Sequence, residues 1–374
     1  MKYYIIAGEA SGDLHGSNLM KSLKKADHEA DFRFWGGDLM HAVAPGMVKH
    51  YKDTAFMGIV PVIMHLRTIL NNIRLCVSDI GNWKPDVVIL IDYPGFNLRI
   101  AKEMHNRGFR IYYYISPKIW AWKSSRVKII KQYVDRMFVI FPFETAFYQK
   151  FGYEVEYVGN PLMDQIETFL SQIPDPDFMV KNNLSQKPII ALLPGSRRQE
   201  IKNILPVMLT LVDKIENYQF VIAGAPDFGM DFYRPFTGDL DVKVIFGQTY
   251  PLLKHAKAAV VTSGTATLET ALLDVPQVVC YKFMGGALTY NLGKALFLKV
   301  PYISLVNLIM EQKVVDELIQ QHLTADNLYN SLIPLLDDSP LRRQVMAGLE
   351  LLREKVGKSG ASDRAAQSII KSLK

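Results

Sequence analysis

Val87-Val88-Ile89-Leu90-Ile91-Asp92-Tyr93-Pro94-Gly95-Phe96-Asn97 begins as an unbroken apolar run and stops abruptly on a carboxylate, a proline and a glycine. An apolar run of that length without alternation reads as a strand buried on both faces, the kind found in parallel sheets. The Pro94-Gly95 turn then leads into a helical segment. The same order of events recurs on either side. Residues 3–7, 110–115 and 136–141 read as further strands, with 13–25, 99–107 and 125–133 as helices between them. Such alternation predicts an α/β fold with a doubly wound parallel sheet.

The rhythm then restarts. Between Pro161 and Pro188 lies a polar stretch containing Pro174-Asp175-Pro176-Asp177, which reads as a linker with one short helix. Beyond it, residues 189–193, 219–223, 242–246, 258–262 and 277–281 read as strands, and the chain from Leu341 onward reads as helical and charged. Two doubly wound domains in tandem predict a ligand cleft at the carboxyl ends of their strands, so chemistry is to be sought just after strands.

Composition narrows the classes. The 374 residues are 49% hydrophobic and 21% charged, which is ordinary for globular domains and excludes disorder. A net charge of +6 suits anionic ligands or a membrane surface and does not demand nucleic acid. Two distant cysteines, Cys76 and Cys280, exclude a disulfide framework and a cysteine-based zinc site. The opening apolar run is too short for a signal peptide, and no apolar run reaches the roughly 18 residues a bilayer requires. A cytoplasmic protein is the expectation.

Two strand-to-helix turns in the second half are suited to a nucleotide. Leu193-Pro194-Gly195-Ser196-Arg197 combines a sharp turn, free N–H groups at a helix start and a planar cation that matches a diphosphate. The plainer reading is a turn with a surface arginine. Thr262-Ser263-Gly264-Thr265-Ala266-Thr267-Leu268-Glu269 clears space with small residues, and Glu269, one turn in, can accept from two ribose hydroxyls. Complementing the helix dipole is the alternative for Glu269. Neither turn is G-x-G-x-x-G or a P-loop, which argues against NAD and ATP.

The first half is suited to an acceptor. Gly8-Glu9-Ala10-Ser11-Gly12-Asp13 follows the first strand and can cradle a phosphate or sugar, though a lone glycine-rich turn says little. Asp92, at a strand end, can take a proton from an attacking hydroxyl or merely cap the next helix. Ser116-Pro117-Lys118-Ile119-Trp120-Ala121-Trp122-Lys123 joins aromatics for stacking on a sugar ring to cations for a phosphate; a solvated basic helix with buried tryptophans is the plainer reading. Val62, Leu66, Ile69 and Leu70 approximate an apolar helical stripe, joined by Val60 and Ile63 as candidate membrane-facing residues and flanked by Arg67 and Arg74, with no acidic residue from position 54 to 77. That pattern fits docking on an anionic membrane, or burial in a core or a subunit interface.

Taken in order, these strings resemble the lipid-A-disaccharide synthases, a family of bacterial glycosyltransferases. The matching strings are Ala7–Asp13 (numbers 7–13), Met57-Gly58-Ile59-Val60, the Asp92 strand, 116–122, Phe141-Pro142-Phe143-Glu144, 193–197, 263–269 and 302–308. The resemblance implies a GT-B fold of two Rossmann-like domains: an acceptor- and membrane-facing domain over 1–163, a UDP-sugar domain over 164–344, and a helical segment over 345–374 that packs back. It implies UDP-2,3-diacylglucosamine as donor and 2,3-diacylglucosamine 1-phosphate (lipid X) as acceptor. It also implies a β(1→6) disaccharide 1-phosphate and UDP as products, at the inner face of the cytoplasmic membrane of a Gram-negative bacterium.

By position, the resemblance makes Asp92 the base and puts Arg197 on the donor diphosphate, with Gly195, Ser196, Ser263, Gly264 and Thr265 of the two turns expected to bind the UDP-sugar. Glu269 falls near the ribose and Asn307 in the cleft. Glu9, Ser11, Gly12, Trp120 and Lys123 fall on the acceptor side. Two positions depart from the family: Asn160 stands where histidine is usual, and Val306 where proline is usual. No cofactor or metal is expected; the D-x-D of Asp175-Pro176-Asp177 sits in the linker. A homodimer is compatible. Two rivals stay open: a UDP-GlcNAc 2-epimerase, which needs no lipid acceptor, and a nucleotide-regulated protein that binds a membrane surface without catalysis.

Overall fold

The computed structural model describes residues 1–53, 66–122, 124–173, 175–282 and 301–374. The chain divides into two compact units. Unit 1 comprises Met1–Pro161 and Lys358–Lys374, and unit 2 comprises Leu162–Gly357.

Unit 1 holds a seven-stranded sheet of β1 (Lys2–Ala7), β2 (Asp31–Gly36), β3 (Met47–His50), β4 (Val87–Ile91), β5 (Ile111–Tyr114), β6 (Arg136–Val139) and β7 (Glu156–Tyr157), in the order β3-β2-β1-β4-β5-β6-β7. Every pairing is parallel. β1 and β4 are buried almost along their whole length because helices cover both faces of the sheet, as their unbroken apolar runs require. β2 was not read from the sequence. Its Arg33 interrupts the apolar run, and its guanidinium is clamped by both oxygens of Asp79 on the helix Leu66–Trp83 at 2.6 and 2.7 Å.

Unit 2 repeats the plan with β8 (Ile189–Leu193), β9 (Gln219–Gly224), β10 (Val242–Phe246), β11 (Ala256–Thr262), β12 (Gln277–Tyr281) and β13 (Asp316–Ile319), ordered β10-β9-β8-β11-β12-β13. All of its pairings are parallel too. The stretch expected to be a linker with one short helix holds two helical segments, Pro161–Leu170 and Phe178–Lys181.

Each sheet reverses its strand order once, between β1 and β4 in unit 1 and between β8 and β11 in unit 2. Such a switch opens a crevice at the carboxyl ends of its two strands. Ala7 pairs with Ile91, so Gly8 and Asp92 leave the sheet side by side. Leu193 pairs with Val261, so the turns beginning at Pro194 and Thr262 do the same.

The helical return expected from 345 begins later. The helix Pro340–Val356 belongs to unit 2, where Arg353 donates to Asp274 Oδ1 at 2.7 Å. The final helix, Ala361–Leu373, belongs to unit 1 and packs on the helix Ala10–Ala26.

Candidate active site

In unit 1 the edge of the switch is built around Asp92. Asp92 and Tyr93 both adopt left-handed backbone, with φ of 40° and 49°, and Ile115 at the end of β5 does so with φ of 64°. None is glycine, and such residues cost about 1–3 kcal/mol each unless the surroundings enforce them. The enforcement is visible. The Asp92 carbonyl accepts from Asn97 Nδ2 at 2.8 Å and from the Tyr113 hydroxyl, while the Asp92 N–H donates to the Ile115 carbonyl at 3.3 Å. The Tyr93 ring lies where a side chain on Gly8 would stand, at 2.3 Å from an added Cβ, so only glycine fits there.

The Asp92 carboxyl is half-buried and does not cap the helix Pro94–His105, whose N-cap is Tyr93 without a side-chain bond. Burial pushes its pKa up to about 6, and the negative charge of Glu9 adds to the rise against the opposing pull of Lys118 and the Tyr93 backbone N–H. A carboxylate of that strength is ionised at neutral pH and still basic enough to accept a proton in a transition state. Glu9 is thus brought to Asp92, at the N-cap of the helix Ala10–Ala26, and Ser11 is exposed in its first turn. Gly12 is buried, with an added Cβ 3.1 Å from Ala7 Cβ, and acts in packing that helix on β1.

Asp13 has a role not read from the sequence. Its carboxylate accepts from the backbone N–H groups of Gly37, Leu39 and Met40 at 2.8, 3.1 and 3.0 Å and so holds the turn after β2. Only a partner distant in sequence reveals this.

Trp120 is corrected. It is not an exposed stacking surface but is 7% exposed, edge-on to Phe141 and Phe143 at 6.4 and 5.0 Å between ring centroids. Lys123 lies outside the described residues, as do Val60, Val62 and Ile63, and the Leu66 side chain is not described. Ile69 is half-buried, and Leu70 is 44% exposed on the helix Leu66–Trp83.

In unit 2 the switch holds a pocket of about 310 Å³, lined by Gly195, Ser196, Glu200, Ser263, Gly264, Thr265, Glu269 and the 223–226 turn among others. Gly195 has φ of +107°, and an added Cβ would stand 2.8 Å from Glu200 Oε2, so the turn demands glycine. The helices Arg198–Leu209 and Thr265–Leu272 both begin just after the strand ends of this edge, and Ser196, Gly264 and Thr265 at their starts line the pocket. Glu269 is held by the Tyr250 hydroxyl at 2.8 Å, and burial raises its pKa. Ser263 spends its hydroxyl proton on the Ile303 carbonyl at 2.8 Å. Thr262 Oγ1, also lining the pocket, is buried with no hydrogen bond among the described residues. Its small polar side chain at a strand terminus was the available signal. Arg197 is exposed and loosely tied to Glu200 at 3.4 Å, a contact weak enough to exchange for an anion.

Asn307 is corrected as well. It is fully buried, its Oδ1 accepts from the N–H groups of Val314 and Val315 at 2.8 and 3.0 Å, and its Nδ2 donates to the Val315 carbonyl and Glu317 Oε1, each at 2.9 Å. That amide has no capacity left for a ligand. Val306 beside it is buried in the helix Leu305–Met310, which Ser304 caps at Asn307 N. Asn160 is buried, with Nδ2 on the Ile140 carbonyl at 3.2 Å, a tie within unit 1.

The profile of the lipid-A-disaccharide synthetase family matches residues 3–370. The lipid-A-disaccharide synthase of Geobacter metallireducens is 38% identical over 99% of this chain and 96% of its own.

This chain belongs to the lipid-A-disaccharide synthase family.

As a lipid-A-disaccharide synthase homologue it is a glycosyltransferase, and its substrates are a UDP-sugar and a lipid acceptor. Its GT-B fold extends beyond the family. The UDP-GlcNAc 2-epimerase of Neisseria meningitidis, solved with UDP-GlcNAc, superposes with a TM-score of 0.67 over 100% of this chain and 99% of its own at 13% identity. A calicheamicin glycosyltransferase does so with a TM-score of 0.60 over 100% and 98% at 15% identity. At those identities the likeness is of fold alone, and the epimerase reading loses to the synthase family.

Proposed function

We infer that the chain transfers 2,3-diacylglucosamine from its UDP derivative to the 6-hydroxyl of lipid X, giving the β(1→6) disaccharide 1-phosphate and UDP. The reaction is a single inverting displacement. The acceptor oxygen forms its bond to the anomeric carbon as the bond from that carbon to the diphosphate oxygen breaks. The hydroxyl proton passes to Asp92, and the electron pair leaves on UDP. In this reading the unit 2 pocket takes the nucleotide: Glu269 accepts from the ribose, while Arg197, Ser196, Thr265 and the two helix starts stabilise charge on the diphosphate. The observation that carries the proposal is Asp92, an ionisable carboxyl held at a sheet switch point on strained backbone with its pKa raised to about 6.

The test is incubation with UDP-2,3-diacylglucosamine and lipid X, followed by mass spectrometry for disaccharide and UDP. Asp92→Ala should lower turnover by about 100-fold or more while UDP binding stays within a few-fold. Sugar-nucleotide turnover without acceptor, or an Asp92→Ala variant with full activity, overturns the assignment.

A second element of the proposal is the surface that meets the lipid. Arg67, Leu70, Arg74 and Leu75 are exposed on the helix Leu66–Trp83, a mixture of cations and leucines that suits an anionic bilayer at the cytoplasmic face. No helix among the described residues is long and apolar enough to cross a membrane. Co-sedimentation with phosphatidylglycerol vesicles that weakens in Leu70→Ser/Leu75→Ser supports this surface. Self-association without vesicle binding assigns the same face to a homodimer instead.

A further inference from the structure

Glu144 is a fully buried carboxyl of unit 1, with 0% exposure, and the mechanism above does not use it. It stands in the first turn of the helix Pro142–Gln149, just after β6. Its Oε2 accepts from the Phe141 and Ile140 N–H groups at 2.9 and 3.2 Å, which pins that oxygen to the backbone. Its Oε1 and the Trp120 indole Nε1 are both buried without a formed hydrogen bond among the described residues, one an acceptor and the other a donor. The Ser116 and Trp120 side chains are nonetheless near enough to favour the ionised carboxyl. Ser116 also bonds the Tyr148 hydroxyl at 2.6 Å, on the same helix as Glu144. The next residue back, Ile115, is the left-handed one whose carbonyl receives the Asp92 N–H.

We propose that Glu144 is a positioning residue for the acceptor wall. Its free oxygen takes the Trp120 indole N–H and thereby seats the 116–120 turn against the strand end that carries Asp92. This rests on the reading of Asp92 as the base. The chemistry is directional. The ionised carboxyl offers Oε1 a lone pair for the indole N–H, whereas a proton on Oε1 would set donor against donor. An unmade bond between two buried polar atoms is costly, so closure of this pair is favoured whenever Glu144 is charged.

Burial pushes Glu144 up to about 7 while the Phe141 and Ile140 N–H groups, Ser116 and Trp120 pull it back. The titratable groups that feel its charge are Tyr148 on its own helix and Tyr157 on β7, both kept neutral at physiological pH by burial. Lys118 is exposed on the turn itself and acts on Asp92. Seating of the turn is therefore lost as pH falls through about 7, above the range where Asp92 itself takes a proton.

The experiment has two arms on the full chain. In the first, the indole 15N–1H resonance of Trp120, identified by its absence in Trp120→Phe, is followed between pH 5 and pH 9 without substrate. It should shift with an inflection near 7 that is missing in Glu144→Gln; a shift unchanged in that variant, or no inflection in the parent, overturns the proposal. This arm involves neither donor nor acceptor, so it stands if the assignment of substrates fails. In the second, Glu144→Gln and Trp120→Phe should each raise the acceptor KM about tenfold, leave the donor KM within about twofold, and together do no more than either alone. Both should keep the acid inflection near 6 and lose the one near 7. A role in stability alone would lower the melting temperature, depress both substrates' kcat/KM together and leave the pH profile unmoved, and that result overturns the proposal.

Discussion

Asp92 shows how a residue's usefulness and its cost arise from the same burial. Its pKa of about 6 means that the folded state holds a proton more tightly than an exposed aspartate does. A raised folded pKa in an acid removes stability as pH climbs from the unfolded value, near 4, through about 6. Asp92→Asn, which tolerates left-handed backbone, should therefore be more stable than the parent by about 1–3 kcal/mol at pH 7.5, with the gap closing toward pH 4. Chemical denaturation across that range checks it. Activity runs the other way, because Asp92 as the proposed base must be ionised, so kcat/KM should fall about tenfold per pH unit below about 6. Glu9→Gln removes a like charge and should move that inflection to lower pH, which a pH–rate profile measures directly.

At the scale of elements, the site consists of strand ends and the helix starts that follow them. The turn after β8 depends on one backbone conformation that a side chain cannot share. Gly195→Ala should lower UDP affinity about tenfold and cost about 1–2 kcal/mol, because it meets both the positive φ and Glu200. Titration calorimetry with UDP and a melt separate the two effects. The turn after β2 needs no positive φ; there Gly36 and Gly37 leave room for Met40, Tyr51 and Asp13, and Asp13 reaches across from the helix Ala10–Ala26 to hold the backbone. Polar residues in the family strings thus divide by where their bonds go. Glu269 lines the unit 2 pocket and the half-buried Asp92 carboxyl caps no helix, whereas Asp13 and Asn307 are consumed in holding neighbouring backbone.

At the scale of the whole molecule, the last helix completes a unit begun more than three hundred residues earlier. Ala361, Ala365, Ala366, Ile369 and Ile370 are buried in unit 1. Removing 358–374 should shift the unfolding of unit 1 to lower urea by roughly 1.5–3 kcal/mol for each isoleucine exposed, and leave the unit 2 transition in place. Proteolysis coupled to mass spectrometry assigns the transitions. The central strands were legible because burial on both faces leaves unbroken apolar runs, and β4 and β8 could be read residue by residue. Among the edge strands, β10 is legible from Val242-Lys243-Val244-Ile245-Phe246, whereas the short β3, β7 and β13 offer no such run. β2 hid behind Arg33, whose charge is acceptable only because Asp79 meets it from a distant helix. The sequence by itself determined the two parallel sheets, the turns that end their central strands and the carboxylates placed there, because those follow from local apolar runs and backbone chemistry. Only the tertiary structure decided which polar residues remain available for a ligand. It set Asp92 beside Glu9, consumed Asn307 and buried Trp120 against Phe141 and Phe143, because a side chain's capacity depends on partners that chain order does not reveal.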